Sequence, residues 1–156
     1  MFSSNFVEGQ SSNVGELTNV KLKGDNFHAM KTILQILHYH RNSELELITA
    51  EELACLAIHC DKYDCRAALQ PWTFYWFRNL GSRFQSSEEL SFLLLAAYKF
   101  DTRELFAKVS AVALKQLTLE YPTKWYDHEL LSLIPETVSG MSLYLFQDLM
   151  IGFKVT

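Results

Sequence analysis

The sequence predicts a mainly α protein with two short strands, and three observations carry that prediction. Several stretches open on a helix N-cap pattern and continue with apolar residues at helical spacing. Residues 51–69 and 88–106 align without gaps at an offset of 37 and share seven of nineteen positions. Only two pieces, 18–22 and 45–48, alternate apolar and polar residues as a strand does.

Each element follows from local chemistry. Asp25 or Asn26 offers an N-cap for a helix to His40, with Phe27, Met30, Ile33, Leu34 and Leu37 at helical intervals. Thr49-Ala-Glu-Glu52 has capping-box form and opens a second helix, with Leu53, Leu56, Ala57 and Cys60 on one face, stopping near Tyr63. A third runs from about Cys65 to Leu80 with an expected kink at Pro71, which lacks the N–H for a helical bond. Its aromatic run, 71–77, is expected in the core because Trp72 and Trp76 lie one turn apart, with Leu69 and Leu80 extending the stripe. Ser86-Ser-Glu-Glu89 caps a fourth helix to about Lys99, and Asp101-Thr-Arg-Glu104 a fifth to about Leu119. Asp127 caps a short one ending before Pro135, and a last helix, interrupted by Gly140, reaches Phe153. Val20 and Leu22, and Leu45 and Leu47, mark the two strands; alone they cannot bury a sheet face.

Composition excludes several classes of function. A formal charge of −4 with singly scattered Lys and Arg gives no footprint for nucleic acid. The start, MFSSNFVEGQ, is not a secretory signal, and the apolar run 92–98 is too short to span a bilayer. Three irregularly spaced cysteines fit a reducing compartment, so a cytoplasmic or nuclear protein without membrane contact is expected.

Chemistry-bearing residues crowd into 56–65, LAIHCDKYDC, and the repeat bears on their meaning. Both copies keep Glu-Glu-Leu at the helix start, a leucine one turn on (Leu56, Leu93) and the turn Lys-aromatic-Asp-x-Arg. That pattern reads as a helix, a tight corner and a second helix, the aspartate capping the outgoing helix and the aromatic plugging the angle. The second copy replaces His59, Cys60, Asp61 and Cys65 by Ala96, Ala97, Tyr98 and Thr102, so the frame persists without them. Cys60 falls on the apolar face and His59 about 100° away, on the more polar side. The pattern supplies no zinc-ligand spacing, and His38 and His40 point apart on a helix, so no metal, cofactor or catalytic residue is assigned. Glu51-Glu52 and Glu88-Glu89 sit in first turns, where negative charge is favourable, and His28 and His128 are isolated. A hydrolase or metal enzyme using His59, Cys60 and Asp64 remains the less favoured alternative, and a short helical-repeat scaffold the other.

The order MFSSNFVEG, then VKLKGDNFHAMKTILQILHYHR, then ELELITAEELACLAIHCDKYDCRAALQPW resembles the latter part of a BTB/POZ domain of the fungal type, most specifically in the D-K-Y-D-C run and the alanine, leucine, proline and tryptophan after it. The resemblance covers residues 1–80, and 81–156 resemble the helical extension that follows this domain in fungal proteins. It implies the C-terminal portion of an α+β BTB/POZ domain, two residual strands included, followed by helical hairpins, in a protein-interaction module. Family members commonly homodimerise, and many serve as substrate adaptors for cullin-type ubiquitin ligases. The dimerising helix and core strands that precede the MF-x-x-x-F segment in the family have no counterpart here, which implies a truncated domain and apolar surface left partly uncovered at Val20, Leu22 and the helix 26–40. Phe6-Val7-Glu8 fits the hydrophobic-x-Glu motif by which the adaptors touch the cullin, so Phe6 and Glu8 are the expected protein-binding residues.

Overall fold

The computed structural model describes residues 22–39, 48–80, 86–116, 125–136 and 138. Among them are five α-helices: α1 (Phe27–Leu37), α2 (Ala50–Lys62), α3 (Arg66–Leu80), α4 (Ser87–Lys99) and α5 (Arg103–Gln116). Two 3-10 turns follow, Trp125–Asp127 and Leu131–Leu133. No strand occurs among the described residues; Leu22 and Ile48 stand in irregular backbone, and the rest of both expected strands, the last expected helix beyond 138, and Phe6 and Glu8 lie outside them.

Three helices start where the sequence places an acceptor for their free amides. The Asn26 side chain accepts from the Ala29 N–H at 3.0 Å, so Asn26 rather than Asp25 caps α1. Thr49 and Glu52 form the full capping box on α2: the threonine oxygen accepts from the Glu52 N–H at 3.2 Å, and the glutamate accepts from the Thr49 N–H at 2.8 Å. Ser86 accepts from the Glu89 N–H at 3.1 Å to start α4. The expected helix after Asp127 is instead the 3-10 turn Leu131–Leu133. Pro135 holds Ile134 extended (φ −69°, ψ 123°), leaving too short a stretch to nucleate an α-helix. α3 continues as helix through Pro71.

The core sits between α2 and α4. Ala54 and Ala57 on α2 and Ala96 and Ala97 on α4 are fully buried, and Leu53, Leu56, Leu90 and Leu93 fill the layer around them. Small residues let the two backbones approach; the leucines supply most of the apolar burial. α4 is buried continuously from Leu90 to Ala97 because α5 and the Leu131–Leu133 turn also pack on it. The turn is anchored by Trp125, whose indole N–H donates to the Ser91 hydroxyl at 2.9 Å, while that hydroxyl donates to the Ser87 carbonyl at 3.0 Å. The aromatic run divides: Trp76, Phe77 and Thr73 are buried and Trp72 stacks on Trp76 at 5.8 Å, but Phe74 and Tyr75 face solvent. Four aromatics in succession on a helix cannot all point one way.

The two copies of the repeat turn by the same hydrogen bonds. After α2, the Asp64 N–H donates to the Asp61 carbonyl (3.4 Å) and the Cys65 N–H to the Cys60 carbonyl (3.1 Å). After α4, the Asp101 N–H donates to Tyr98 (3.0 Å) and Thr102 to Ala97 (3.2 Å). Both are Schellman endings with the aspartate in the left-handed region, φ 50° at Asp64 and 54° at Asp101. Each aspartate therefore closes the incoming helix and does not cap the outgoing one, as its residue type had suggested. Aspartate suits both positions, and here the six-residue bond to the C″ amide demands the positive φ. Cys65 and Thr102 share a further role, aiming Sγ and Oγ1 at the carbonyls of Cys60 (3.9 Å) and Ala97 (3.4 Å). The aromatic plugs the angle only in the second copy: Phe100 is buried, whereas Tyr63 is 40% exposed.

Candidate functional site

The residues that looked reactive in sequence do not converge. His59 is buried, contrary to its expected place on the polar side of α2, and both ring nitrogens are in use. The Asn26 N–H donates to Nε2 at 2.9 Å, and Nδ1 lies 2.8 Å from the Cys55 carbonyl. An amide can only donate and a carbonyl only accept, so the ring is neutral with its proton on Nδ1. The imidazole is a strut that ties the start of α1 to the middle of α2. Cys55, and not Cys60, is its sulfur neighbour, 3.9 Å from Nδ1, but that nitrogen has no lone pair to take the thiol proton.

The thiols are also held in the unreactive form. Burial pushes the Cys60 thiol far up, with Cys65 adding to the shift. Burial raises the Cys55 thiol, and the carboxylates of Glu51, Glu129 and Glu52 raise it further. Nucleophilic cysteines need the opposite environment. Asp64 is exposed at its corner. Among the described residues no group of three or more His, Cys, Asp or Glu is disposed to hold a metal ion. Peptide mapping after iodoacetamide treatment of native protein should find Cys60 unmodified until denaturant is added; labelling of Cys60 at the rate of Cys65 would contradict this burial.

Asp25, which sequence offered only as a capping choice, is the centre of a clamp. Its carboxylate is 4% exposed, accepts from Lys62 Nζ at 2.7 Å and from the Tyr63 hydroxyl at 2.5 Å, and lies 3.6 Å from His59 Nε2. The hydrogen bonds from Lys62 and Tyr63 hold the Asp25 carboxyl below the usual range, and their bonds to Asp25 raise both Lys62 and Tyr63. Lys99, at the repeat position of Lys62, makes the matching tie to Asp61 at 3.0 Å. In each hairpin the corner lysine thus reaches back to an acid near the end or start of an earlier helix. The partner is 37 or 38 residues away, which is why spacing within a helix did not reveal it.

The pH behaviour of the clamp follows from these directions. The lowered Asp25 contributes stability that is complete above the ordinary aspartate value of about 3.9 and is lost as pH falls through its depressed one. The raised Lys62 and Tyr63 contribute below their ordinary values of about 10 and lose it as pH rises through the raised ones. The urea midpoint of wild type should exceed that of Asp25→Asn near neutrality, with the gap closing below about pH 4. A gap that persists unchanged at lower pH would remove the clamp.

A groove of about 820 Å³ lies between α1, the first turns of α2 and the Trp125–Leu130 turn. Lys31 and His28 stand on its α1 wall, and Glu51, Glu52 and Glu129 on the other. Glu52 is committed to the capping box, and Glu51 and Glu88 are exposed in the first turns of their helices. His128 is not isolated: it packs edge-on against Phe92 at 5.1 Å, and Nδ1 accepts from the Leu130 N–H at 3.2 Å. Among the described residues of this groove the thiol of Cys55 meets His59 only at Nδ1, the nitrogen that carries the ring proton.

No family model, curated protein or solved structure matches the chain. Among the described residues no helix is long and apolar enough to cross a membrane.

Proposed function

We propose that the chain is a protein-interaction module, with residues 1–80 corresponding to the latter part of a BTB/POZ domain and 81–156 to a helical extension, that binds other proteins and catalyses nothing. The observation that carries this reading is the structural employment of every suggestive group at the first corner. His59 braces α1 on α2, Cys60 fills core, Cys65 repeats the place of Thr102, and Asp64 repeats the backbone of Asp101. A site whose nucleophile and base are consumed in packing has no chemistry to offer a substrate, whereas stacked hairpins offer surface.

Within that reading the chain acts in the cytoplasm or nucleus as a substrate adaptor for a cullin-type ubiquitin ligase, with Phe6 entering an apolar groove of the cullin and Glu8 meeting a basic residue. Capture of a purified cullin N-terminal domain by wild type but not by Phe6→Ala/Glu8→Ala is the expected result. Capture by neither removes the adaptor role. One observation favours the helical-repeat scaffold instead: α2 lies along α4, and both hairpins turn by the same bonds. Cullin capture through Phe6 and Glu8 would decide against it.

A further inference from the structure

The first corner of the repeat brings two sulfurs together where the second brings none. Cys60 and Cys65 stand at the two ends of the longer Schellman bond, the Cys65 N–H donating to the Cys60 carbonyl at 3.1 Å. Standard backbone dimensions then keep their Cα atoms within about 7 Å, a span that a disulfide can bridge. The side chains meet as well as the backbones. Cys65 turns its Sγ back to within 3.9 Å of the Cys60 carbonyl oxygen, and the two thiols are hydrogen-bond neighbours. Ala97 and Thr102 make the same corner in the second copy, so the turn itself needs sulfur at neither place. Access is unequal: Cys60 is fully buried and Cys65 half-buried. The third thiol, Cys55, is engaged elsewhere, beside His59.

We propose that Cys60 and Cys65 are a redox pair, a modification site at which hydrogen peroxide closes a disulfide across the corner between α2 and α3. Cys65, the accessible thiol, attacks first. Its sulfur bonds to one oxygen as the O–O bond breaks, its proton leaves with the other oxygen as water, and a sulfenic acid remains. Cys60 then attacks the Cys65 sulfur: the S–S bond forms as the S–O bond breaks, and the Cys60 proton leaves with the hydroxyl as a second water. Two thiols are oxidised to one disulfide, and one peroxide is reduced to two waters. Contact makes the second step intramolecular, which offsets the poor nucleophilicity that burial imposes on Cys60. The part that a Cys65 thiolate plays in holding the Cys60 proton is also gone once Cys65 is a sulfenic acid. In a reducing compartment the bridge is transient, reopened by thiol exchange. The ring it closes contains Lys62 and Tyr63, both donors to Asp25, so the modification falls on the tie between this corner and α1.

The test treats the full chain with hydrogen peroxide, blocks the remaining thiols with iodoacetamide in denaturant, and maps tryptic peptides by mass spectrometry without reductant. Trypsin cuts after Arg41, Lys62 and Arg66, so the bridge joins residues 63–66 to residues 42–62, and fragmentation distinguishes Cys60 from Cys55 on the longer peptide. The expected result is Cys60 bridged to Cys65 with Cys55 alkylated, fully reversed by dithiothreitol. With dimedone present, Cys60→Ala should trap at least tenfold more sulfenic acid at Cys65 than wild type does. A melting curve checks that this variant is folded, and the wild-type map decides the matter by itself if it is not. Peroxide that leaves both thiols free, a sulfinic acid at Cys65 without the bridge, a bridge through Cys55 or between chains, or equal trapping in the two folded proteins overturns the proposal. The readout is independent of partner binding, so the redox pair and the docking role can fail separately.

Discussion

Truncating Leu93 to alanine should cost about 2–5 kcal/mol of folding stability, and Leu56→Ala a similar amount. The two leucines hold the same place in the repeat and are both about 1% exposed in the layer between α2 and α4. Each truncation removes buried methyl groups and leaves a cavity between helices whose alanines already bring them close, so little collapse can repair it. Urea denaturation followed by far-ultraviolet circular dichroism reads both. A loss under about 1 kcal/mol at one leucine with a large loss at the other would mean that the copies do not share a core.

His59→Ala should cost about 2–4 kcal/mol, an effect that the sequence of the second copy, with Ala96 at this place, would not suggest. Its source is the removal of the acceptor for the Asn26 N–H and of the ring that fills the space between α1 and α2. The loss falls on the start of α1, since Asn26 is also its N-cap, so amide exchange should accelerate there first. Elemental analysis of purified wild type should find no stoichiometric zinc. A His59→Ala protein as stable as wild type, together with loss of a bound metal, would reinstate the enzyme reading.

What could be read from the sequence was the local part. Asn26, Thr49 and Ser86 cap their helices through residues three positions on, so composition alone places those starts. The place of the corner repeat was legible from the matches of Lys62, Asp64 and Arg66 to Lys99, Asp101 and Arg103, but its mechanism was not: of the residues joined by the Schellman bonds only the aspartate is the same in both copies, and its residue type suits a cap on the outgoing helix equally well. The buried side of α1 was not: both of its stripes are apolar, and only packing against α2 and α3 selects Ala29, Ile33 and Ile36. Nor was the role of His59, whose partner amide lies 33 residues away. Tyr63 and Phe100 show the same limit from the other side. Identical backbone turns bury one aromatic and expose the other, because Asp25 gives the Tyr63 hydroxyl a partner at the surface.

The duplicated corner is most directly tested by measuring the stability of Asp64→Gly, Asp64→Ala, Asp101→Gly and Asp101→Ala. Glycine relieves a positive φ and alanine does not, while inside a helix alanine leads glycine by about 1 kcal/mol. The glycine variant should exceed the alanine variant by about 1 kcal/mol at both positions, with the two differences agreeing within about 0.5 kcal/mol. Alanine equal to or ahead of glycine at either aspartate would mean that the two turns are not one structure used twice.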